Sequence, residues 1–274
     1  MVALVSLVAL VALVALTALA LALSASVPGG VALPALRAPR ALPALSVRPM
    51  RKYIINLDTR ADRMAVTVPK LRRFGFCDVE RWPAVDARRM SRAEVDRVVR
   101  PDARAPIWRG VRAEHSELSL GAVGCFLSHL QIWALLAEST DESPDEAALV
   151  FEDDTDPTIT PEQVDAALVA LPDDWDIVFL GVFGEPYDPA RLSIRRVEWF
   201  FGAHAYVVRR RCAQKLLASA LPMHVQLDSW LSRLSMGGLV RLYAIANSGW
   251  AQNAQVSETD IQTPVLPASQ MAPG

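Results

Sequence analysis

The sequence predicts an α/β domain with a mostly parallel, mixed sheet flanked by helices, because strand-like and helix-like segments alternate along residues 50–262. Two segments carry most of this prediction. Residues 147–154 consist of a short apolar run that ends in three carboxylates, which is typical of a buried strand. Residues 121–138 repeat apolar side chains at helical spacing, which predicts a helix with one apolar stripe.

The other predicted elements come from local patterns and turn signals. A Ser91 N-cap with Glu94 three residues later predicts a helix start, and Thr160 followed by Pro161 predicts another. The polar, Arg-rich stretch 101–118 has no periodicity and is predicted to be a loop. In chain order, strands are predicted at 53–57, 79–85, 147–154, 176–181, 197–201, 203–208 and 239–246, and helices at 60–74, 91–99, 121–138, 161–171, 209–221 and 225–234.

The two ends of the chain differ in composition from the predicted domain. Residues 2–23 contain no charged side chain and are long enough to span a bilayer, so residues 1–26 are predicted to be a signal peptide or a membrane anchor. That prediction implies the lumen of the secretory pathway or attachment to a membrane. The alternative is a start at Met50, which implies a cytoplasmic protein. Residues 27–49 are rich in Pro and Gly and predict a linker, and residues 263–274 predict a flexible tail.

Charge and cysteine content argue against two classes of function. The net charge is −2 and the sequence has no long basic run, which argues against nucleic acid as the main partner. Three cysteines, Cys77, Cys125 and Cys212, lie far apart without the spacing of a zinc site, and at most one disulfide can form. Cys125 falls inside the apolar helix pattern, so we expect a buried thiol there.

Three adjacent carboxylates, Glu152, Asp153 and Asp154, end the predicted strand at 147–154. Strand alternation predicts Glu152 and Asp154 on one face of the sheet and Asp153 on the other. Ligands of open α/β sheets bind beyond the carboxyl ends of the strands. Clustered carboxylates at that place suit a hard divalent cation such as Mg²⁺ or Mn²⁺, which can hold a diphosphate. The alternative is that the three acids only cap the loop and the helix that follows.

Four short motifs follow one another along the chain. Residues 53–63 have the sequence YIINLDTRADR, residues 121–133 GAVGCFLSHLQIW, residues 151–154 FEDD and residues 257–261 SETDI. These segments resemble, in the same order, the opening motif, the central helix motif, the acidic metal motif and the closing segment of glycosyltransferase family 25. That family includes lipooligosaccharide galactosyltransferases and collagen β-galactosyltransferases.

The resemblance implies a GT-A fold and a metal-dependent, inverting transfer of a hexose from UDP-galactose or UDP-glucose to a hydroxyl of a glycan or glycoprotein. In such a transfer, Mn²⁺ or Mg²⁺ neutralises the charge that develops on the departing diphosphate. Asp154 is the predicted direct ligand, and Glu152 or Asp153 is predicted to bind the metal, its waters or the sugar. The alternative is a catalytically weak relative that binds a sugar or a partner protein.

The resemblance also assigns residues to the nucleotide sugar. The Asn and the first Asp of the opening motif are predicted to bond the ribose or the base, and its arginines to approach a phosphate. The histidine of the central helix is predicted to bond either the donor or the acidic strand, and the alternative is an internal packing residue. The predicted donor-binding residues are Asn56, Asp58, Arg60, Arg63, Ser128, His129 and Asp153.

Asp228 is the predicted base that takes the proton of the acceptor hydroxyl, and Glu152 is the second predicted catalytic carboxylate. The alternatives are that nearby His224 takes this role, or that Asp228 only stabilises the first turn of a helix. Trp230 is expected either to stack on an acceptor sugar or to fill the core. Residues 184–196, which contain two prolines, are predicted to form an acceptor loop or lid.

Overall fold

A seven-stranded sheet lies at the centre of the computed structural model, which describes residues 50–109, 116–139, 146–184, 186–253 and 261. The predicted signal or anchor segment, the linker, the tail and residues 257–260 of the closing motif lie outside these residues. The strands are β1 (Arg51–Asn56), β2 (Val79–Pro83), β3 (Ala147–Glu152), β4 (Thr155–Asp156), β5 (Ile177–Phe179), β6 (Ser193–Val197), β7 (Ala205–Arg209), β8 (Leu242–Ala246) and β9 (Ala251–Gln252).

The large sheet is mixed and has the strand order β2-β1-β3-β7-β5-β8-β6. The strands β2, β1 and β3 are parallel to one another, and β5 is parallel to β8. Because β7 is antiparallel to both β3 and β5, these two parallel groups point the same way. Only β7 and β6 of this sheet run against the other five strands, so the predicted mostly parallel, mixed sheet is confirmed.

The helices that flank the sheet start at recognisable caps. The capping box predicted from Ser91 and Glu94 is present, and a second box joins Thr160 to Gln163. Such boxes satisfy amide groups at helix N-termini that would otherwise lack a partner. The helices are α1 (Ala61–Arg73), α2 (Arg92–Val98), α3 (Ala105–Trp108), α4 (Leu120–Ala137), α5 (Pro161–Val169), α6 (Arg210–Leu217) and α7 (Leu227–Met236).

Alternation along the strands fills two apolar cores, one on each face of the sheet. On one face, Ile54, Leu149 and Val207 pack with Leu71 of α1 and Val164 of α5. The strand residues of the other face pack against α4, α6 and α7; they include Tyr53, Ile55, Val150, Tyr206 and Val208. Helices therefore cover both faces, which confirms the predicted α/β class.

Helix α4 is buried on almost all sides, and the prediction of a single apolar stripe is wrong. Thirteen of its 18 residues are buried, including the polar pair Ser128 and His129. A helix that is apolar all round belongs in a protein interior. Among the described residues, α4 is also the one helix long and apolar enough to cross a membrane, and its burial identifies it as a core helix.

Several predictions for single segments need correction. The strand predicted at 197–201 is wrong, because β6 begins earlier, inside the predicted loop or lid at 184–196, and ends at Val197. Its polar sequence SIRRV fits the outer strand of the sheet, where β6 pairs only with β8. The predicted loop at 101–118 contains α3 and a 3₁₀ turn. Trp230 fills the core, since it is buried and stacks on Trp133.

Candidate active site

The carboxyl ends of three parallel strands meet at one edge of the sheet. The last residue of β1, Asn56, lies beside the last residue of β2, and Ile55 of β1 pairs with Glu152 of β3. Since β3 stops at Glu152, Asp153 and Asp154 lie in the turn that follows it. All three carboxylates line one cavity, in which Glu152 contacts His129 of α4 and Asp153 contacts Arg63 of α1, the helix on the other face of the sheet. We call this cavity the acidic cavity; Asn56, Arg63, Ser128 and His129 also line it.

Asp153 is fixed by buried hydrogen bonds. Its carboxylate accepts from Asn56 Nδ2 and from Arg63 Nη1, each at 2.7 Å. Its carbonyl accepts from Thr67 Oγ1 of α1 at 2.6 Å. Because Arg63 and Asp153 are both buried, the ion pair is shielded from water and each partner is necessary for the other. Asp153 therefore holds β1, α1 and the acidic turn together.

Asp154 is also buried beside the other two carboxylates, but its hydrogen bonds are longer than those of Asp153. Its Oδ2 lies 3.4 Å from Arg63 Nη1 and 3.5 Å from Gln252 Nε2, and its Oδ1 has no hydrogen-bond partner among the described residues. Burial and then the charge of Glu152 raise the pKa of Asp154 to about 7, although Arg63 opposes this shift. A cation bound here would satisfy the unpaired oxygen and favour the ionised carboxylate.

Glu152 is oriented by a buried chain of hydrogen bonds. Trp133 Nε1 donates to Tyr206 Oη at 3.0 Å, and that oxygen lies 2.7 Å from His129 Nδ1. On its other side, His129 Nε2 lies 3.2 Å from Glu152 Oε1. Burial raises the pKa of Tyr206, so its hydroxyl stays protonated. Because the phenol oxygen accepts from Trp133, we infer that its own proton is donated to His129 Nδ1 and that the imidazole proton lies on Nε2, which faces Glu152.

This chain of hydrogen bonds keeps Glu152 ionised. Burial is the largest influence and acts to raise the pKa of the Glu152 carboxyl, but the hydrogen bond from His129 and the further interactions with His129, His204 and Cys125 together outweigh it, and the pKa lies below its ordinary value. Of the two contacts predicted for His129, the structure has the one with the acidic strand.

Two sets of side chains at this edge offer ligand atoms for a cation. Asp154 and Glu152 offer carboxylate oxygens, which suit Mn²⁺ or Mg²⁺. Ligand atoms of Cys125, His129 and Glu152 lie within 4.8 Å of one another. In that second set, the inferred tautomer puts a proton on His129 Nε2, and burial raises the pKa of the Cys125 thiol well above its ordinary value. Since neither group offers a ready lone pair or thiolate, the carboxylates fit the implied cation better.

Gly124 and Ser128 of α4 set one wall of the acidic cavity. Ser128 Oγ accepts from the Val85 amide at 2.8 Å and donates to the Gly124 carbonyl at 2.7 Å. A Cβ at Gly124 would lie 2.3 Å from the Val85 carbonyl oxygen, so glycine is required for this approach. The loop after β2 is thereby held against α4, and it brings Arg88 to the cavity.

A second cavity, of about 320 Å³, adjoins the acidic cavity. Glu152 and Gln252 line both cavities. The second cavity is also lined by Phe183, Phe201 and Asp228, and we call it the aromatic cavity. The two cavities therefore form one continuous site with Glu152 at the junction.

Asp228 lies in the first turn of α7 and faces the aromatic cavity. Its carboxylate accepts from the Ser229 amide at 2.7 Å and from the Gly202 amide at 3.4 Å. Burial raises the pKa of Asp228. A carboxylate with a raised pKa is a better proton acceptor near neutral pH than an exposed aspartate.

Two predicted donor residues lie apart from both cavities. Asp58 is exposed and pairs with Arg81 at 2.6 Å, and Arg60 pairs with Asp62 at 3.0 Å. Neither Asp58 nor Arg60 is among the residues that line the two cavities, so their roles stay predictions.

The structure adds three residues that the sequence analysis did not assign to the site. Arg88 follows the end of β2, and a basic residue after a predicted parallel strand is a usable sequence signal. Gln252 lies on β9, whose pairing with β4 next to the acidic turn has no local signal. Cys125 lines both cavities and is half-buried rather than fully buried as predicted, with its Sγ 3.7 Å from Glu152 Oε1.

Comparison with known families confirms the resemblance that the motifs predict. Residues 50–159 match the family model described as glycosyltransferase family 25 (LPS biosynthesis protein). A glycosyltransferase 25 family member of Anopheles gambiae is 32% identical over 105 residues, which are 37% of this chain and 16% of that protein. One of Aedes aegypti is 29% identical over 163 residues, which are 57% of this chain and 24% of that protein.

The matched segments span 16% and 24% of the length of these two curated relatives. Among solved structures, the apo form of mouse xyloside xylosyltransferase 1 aligns with 72% of this chain and 64% of its own, at 10% identity and a TM-score of 0.30. A TM-score this low carries no argument about fold or function. The family 25 segment contains β1, α1, α4 and the acidic turn, which build the acidic cavity.

Proposed function

We propose that this chain, which carries a family 25 segment, is a glycosyltransferase that moves a hexose from a uridine diphosphate sugar to a hydroxyl group. The proposed donor is UDP-galactose, or else UDP-glucose, and the proposed acceptor is a glycan or glycoprotein. The observation that carries the proposal is the pair of carboxylates Glu152 and Asp154 beyond parallel strands, with an Asp154 oxygen that no described residue satisfies. The transfer inverts the anomeric carbon and depends on Mn²⁺ or Mg²⁺.

The acidic cavity is the proposed donor site. Asp154 and Glu152 would hold the cation, which as a Lewis acid offsets the negative charge of the departing diphosphate. Arg63 and Arg88 bring two guanidinium groups to the same cavity, and a guanidinium matches the geometry of phosphate oxygens. Asn56 lines the cavity where we propose that the ribose or the base binds.

The aromatic cavity is the proposed entry for the acceptor, and Asp228 is the proposed base. The acceptor oxygen forms a bond to the anomeric carbon while the bond from that carbon to the diphosphate oxygen breaks. The hydroxyl proton passes to the Asp228 carboxylate. Glu152 keeps a negative charge at the junction, where it stabilises the positive charge of the anomeric carbon in the transition state.

The apolar composition of residues 2–23 supports a proposal about location. We propose that this segment directs the protein into the secretory pathway or attaches it to a membrane, where glycan and glycoprotein acceptors are made. Membrane fractionation of cells that express the chain with and without residues 1–49 tests this, and equal amounts of soluble protein from both would contradict it.

Calorimetry on the full chain tests the proposed function. We would remove metal, titrate UDP-galactose and UDP-glucose with and without Mn²⁺, and follow UDP release. We expect binding of one donor that requires Mn²⁺, and slow UDP release. Asp154→Ala should lower the affinity for the donor by at least ~100-fold, because a metal ligand is lost.

Asp156→Ala is the matched control for Asp154→Ala. Asp156 lies two residues away, forms a part-exposed ion pair with Lys70 and does not line either cavity. We expect donor binding to be unchanged in this variant. Undiminished transfer by a folded Asp154→Ala protein would contradict the metal assignment. Absence of binding to either donor would favour the alternative of a catalytically weak sugar- or partner-binding protein.

A further inference from the structure

The segment after β6 carries aromatic side chains on its outer side. Trp199 is 52% exposed and Phe201 39% exposed, whereas Phe200 between them is 3% exposed. Phe200 packs on Phe179 in the core, with ring centroids 4.1 Å apart. This alternation puts Trp199 and Phe201 on the same side, where their rings meet edge to face at 5.4 Å. The outer pair is thus supported from below by a buried anchor.

Phe183 completes this aromatic surface from another part of the chain. Its amide donates to the Phe201 carbonyl at 3.2 Å, which fixes the two backbones side by side. The Phe183 side chain is 67% exposed, and both phenylalanines line the aromatic cavity. The Gly202 amide, next to Phe201, donates to the Asp228 carboxylate at 3.4 Å. The backbone therefore ties the aromatic surface to the proposed base.

Leaving aromatic rings exposed to water is unfavourable in free energy. An exposed apolar patch that lines a cavity beside a carboxylate therefore marks a binding site. A pyranose ring has the complementary chemistry, since one face carries C–H groups and its edges carry hydroxyl groups. The faces of aromatic rings carry negative partial charge and attract polarised C–H groups. The cavity, at about 320 Å³, has the size of a small-ligand cleft, which is roughly 300–1,000 Å³.

We propose that Phe183 and Phe201 form a subsite for a pyranose ring of the acceptor and present one of its hydroxyl groups to Asp228. The acceptor group is then a sugar, and a hydroxyl of an amino acid side chain is not the preferred substrate. This inference rests on the proposed function and narrows its acceptor class.

Saturation-transfer NMR on the full chain tests the subsite without any need for turnover. The probes are methyl β-galactoside, methyl β-glucoside and a serine-containing peptide without sugar. We expect one glycoside to receive saturation at its ring C–H protons and the peptide to receive none. Phe201→Ala should weaken glycoside binding by about tenfold, the size of a good aromatic contact. Phe201→Tyr, which keeps the ring, should bind as the wild type does.

Leu239→Ala is the matched control for loss of an exposed apolar side chain. Leu239 is 63% exposed and does not line either cavity, so glycoside binding should be unchanged. Thermal melting checks that each variant is folded. Absence of glycoside binding to the wild type, or equal binding by wild type and folded Phe201→Ala, would overturn the subsite.

Donor calorimetry on the same samples separates this inference from the proposed function. If the protein binds a glycoside through Phe201 but binds neither UDP-sugar, the result supports the subsite and contradicts the proposed transfer. The protein could instead bind the donor and release UDP faster with the sugar-free peptide than with either glycoside. That result would support the proposed transfer and overturn the subsite.

Discussion

The acidic cavity and the aromatic cavity share Glu152, yet different kinds of side chain line the rest of each cavity. In the acidic cavity, Asp153 accepts two side-chain hydrogen bonds of 2.7 Å from buried partners. In the aromatic cavity, Asp228 accepts from backbone amides, and Phe183 and Phe201 are 67% and 39% exposed. One wall is thus a fixed arrangement of charges, and the other is an apolar surface beside one carboxylate.

This difference matches what each side is proposed to bind. A diphosphate is the same in every UDP-sugar, and its charge is recognised best by groups whose orientation is fixed before binding. An acceptor is recognised by shape and by the apolar face of a ring, which aromatic side chains provide. The carboxylates follow the same division, because Asp154 lies among other charges whereas Asp228 lies among aromatic and backbone groups.

The largest effect should come from Asp228→Asn, which should impair catalysis in the aromatic cavity without affecting donor binding in the acidic cavity. We expect kcat to fall by about 100- to 10,000-fold, because general base catalysis contributes that much. Donor affinity should be unchanged, since Asp228 does not line the acidic cavity. UDP release in the presence of acceptor gives the rate, and calorimetry gives the affinity. An undiminished kcat would show that a group other than Asp228 is the base, and Glu152 would be the first candidate to test.

The second effect concerns the stability of the metal-free protein. The pKa of Asp154 is about 7 in the folded protein and 3.8 for an ordinary aspartate, so the folded state binds more protons over that range. Stability from this group is therefore present at low pH and is lost as the pH rises towards 7. In EDTA, Asp154→Asn should be more stable than the wild type at about pH 8 by roughly 2 kcal/mol, and the difference should vanish near pH 4.

Urea denaturation of wild type, Asp154→Asn and the control Asp156→Asn measures this difference. Mn²⁺ at the higher pH should stabilise the wild type and leave Asp154→Asn unchanged, because ligand binding to the folded state adds to its stability. If the unfolding free energies of wild type and Asp154→Asn changed in parallel with pH, the pKa of Asp154 would not be raised in the folded protein and the prediction would be wrong.

The acidic side could be predicted from the sequence to a large extent. Parallel strands place their carboxyl ends at one edge, so Asn56 and the residues after β3 had to approach one another. The place where β3 stops was harder to predict, because it depends on pairing with β1 and β7. The contacts nevertheless alternate past Glu152, because Glu152 meets His129 of α4 whereas Asp153 meets Arg63 of α1.

The aromatic side could be predicted much less well. The run at 197–201 is rich in the residues that strands prefer, whereas the real strand, Ser193–Val197, is polar and lies at the sheet edge. Strand preference reflects burial and cross-strand contacts, which a local pattern does not contain. Phe183 and Phe201 meet through a backbone hydrogen bond between the segments before and after β6, and nothing local marks it.

The smallest effect tests the hydrogen-bonded chain behind Glu152, where the two cavities meet. Tyr206→Phe removes the hydroxyl that accepts from Trp133 and donates to His129, and it leaves both buried groups without that partner. Loss of such a hydrogen bond costs about 1–2 kcal/mol of unfolding free energy. Tyr243→Phe is the control, because the Tyr243 hydroxyl has no hydrogen bond within the described part of the chain, and its stability should match the wild type.

The same variant reports on the protonation of His129. Nitrogen NMR of the wild type should place the imidazole proton on Nε2, where it is donated to Glu152. In Tyr206→Phe, Nδ1 loses its donor, so the proton is free to move between the two nitrogens and Glu152 is held less firmly. We expect a fall in kcat and a weaker Mn²⁺-dependent donor affinity, because Glu152 is also a proposed ligand of the cation. A wild-type proton on Nδ1 would reverse the direction of the chain and remove His129 as the group that positions Glu152.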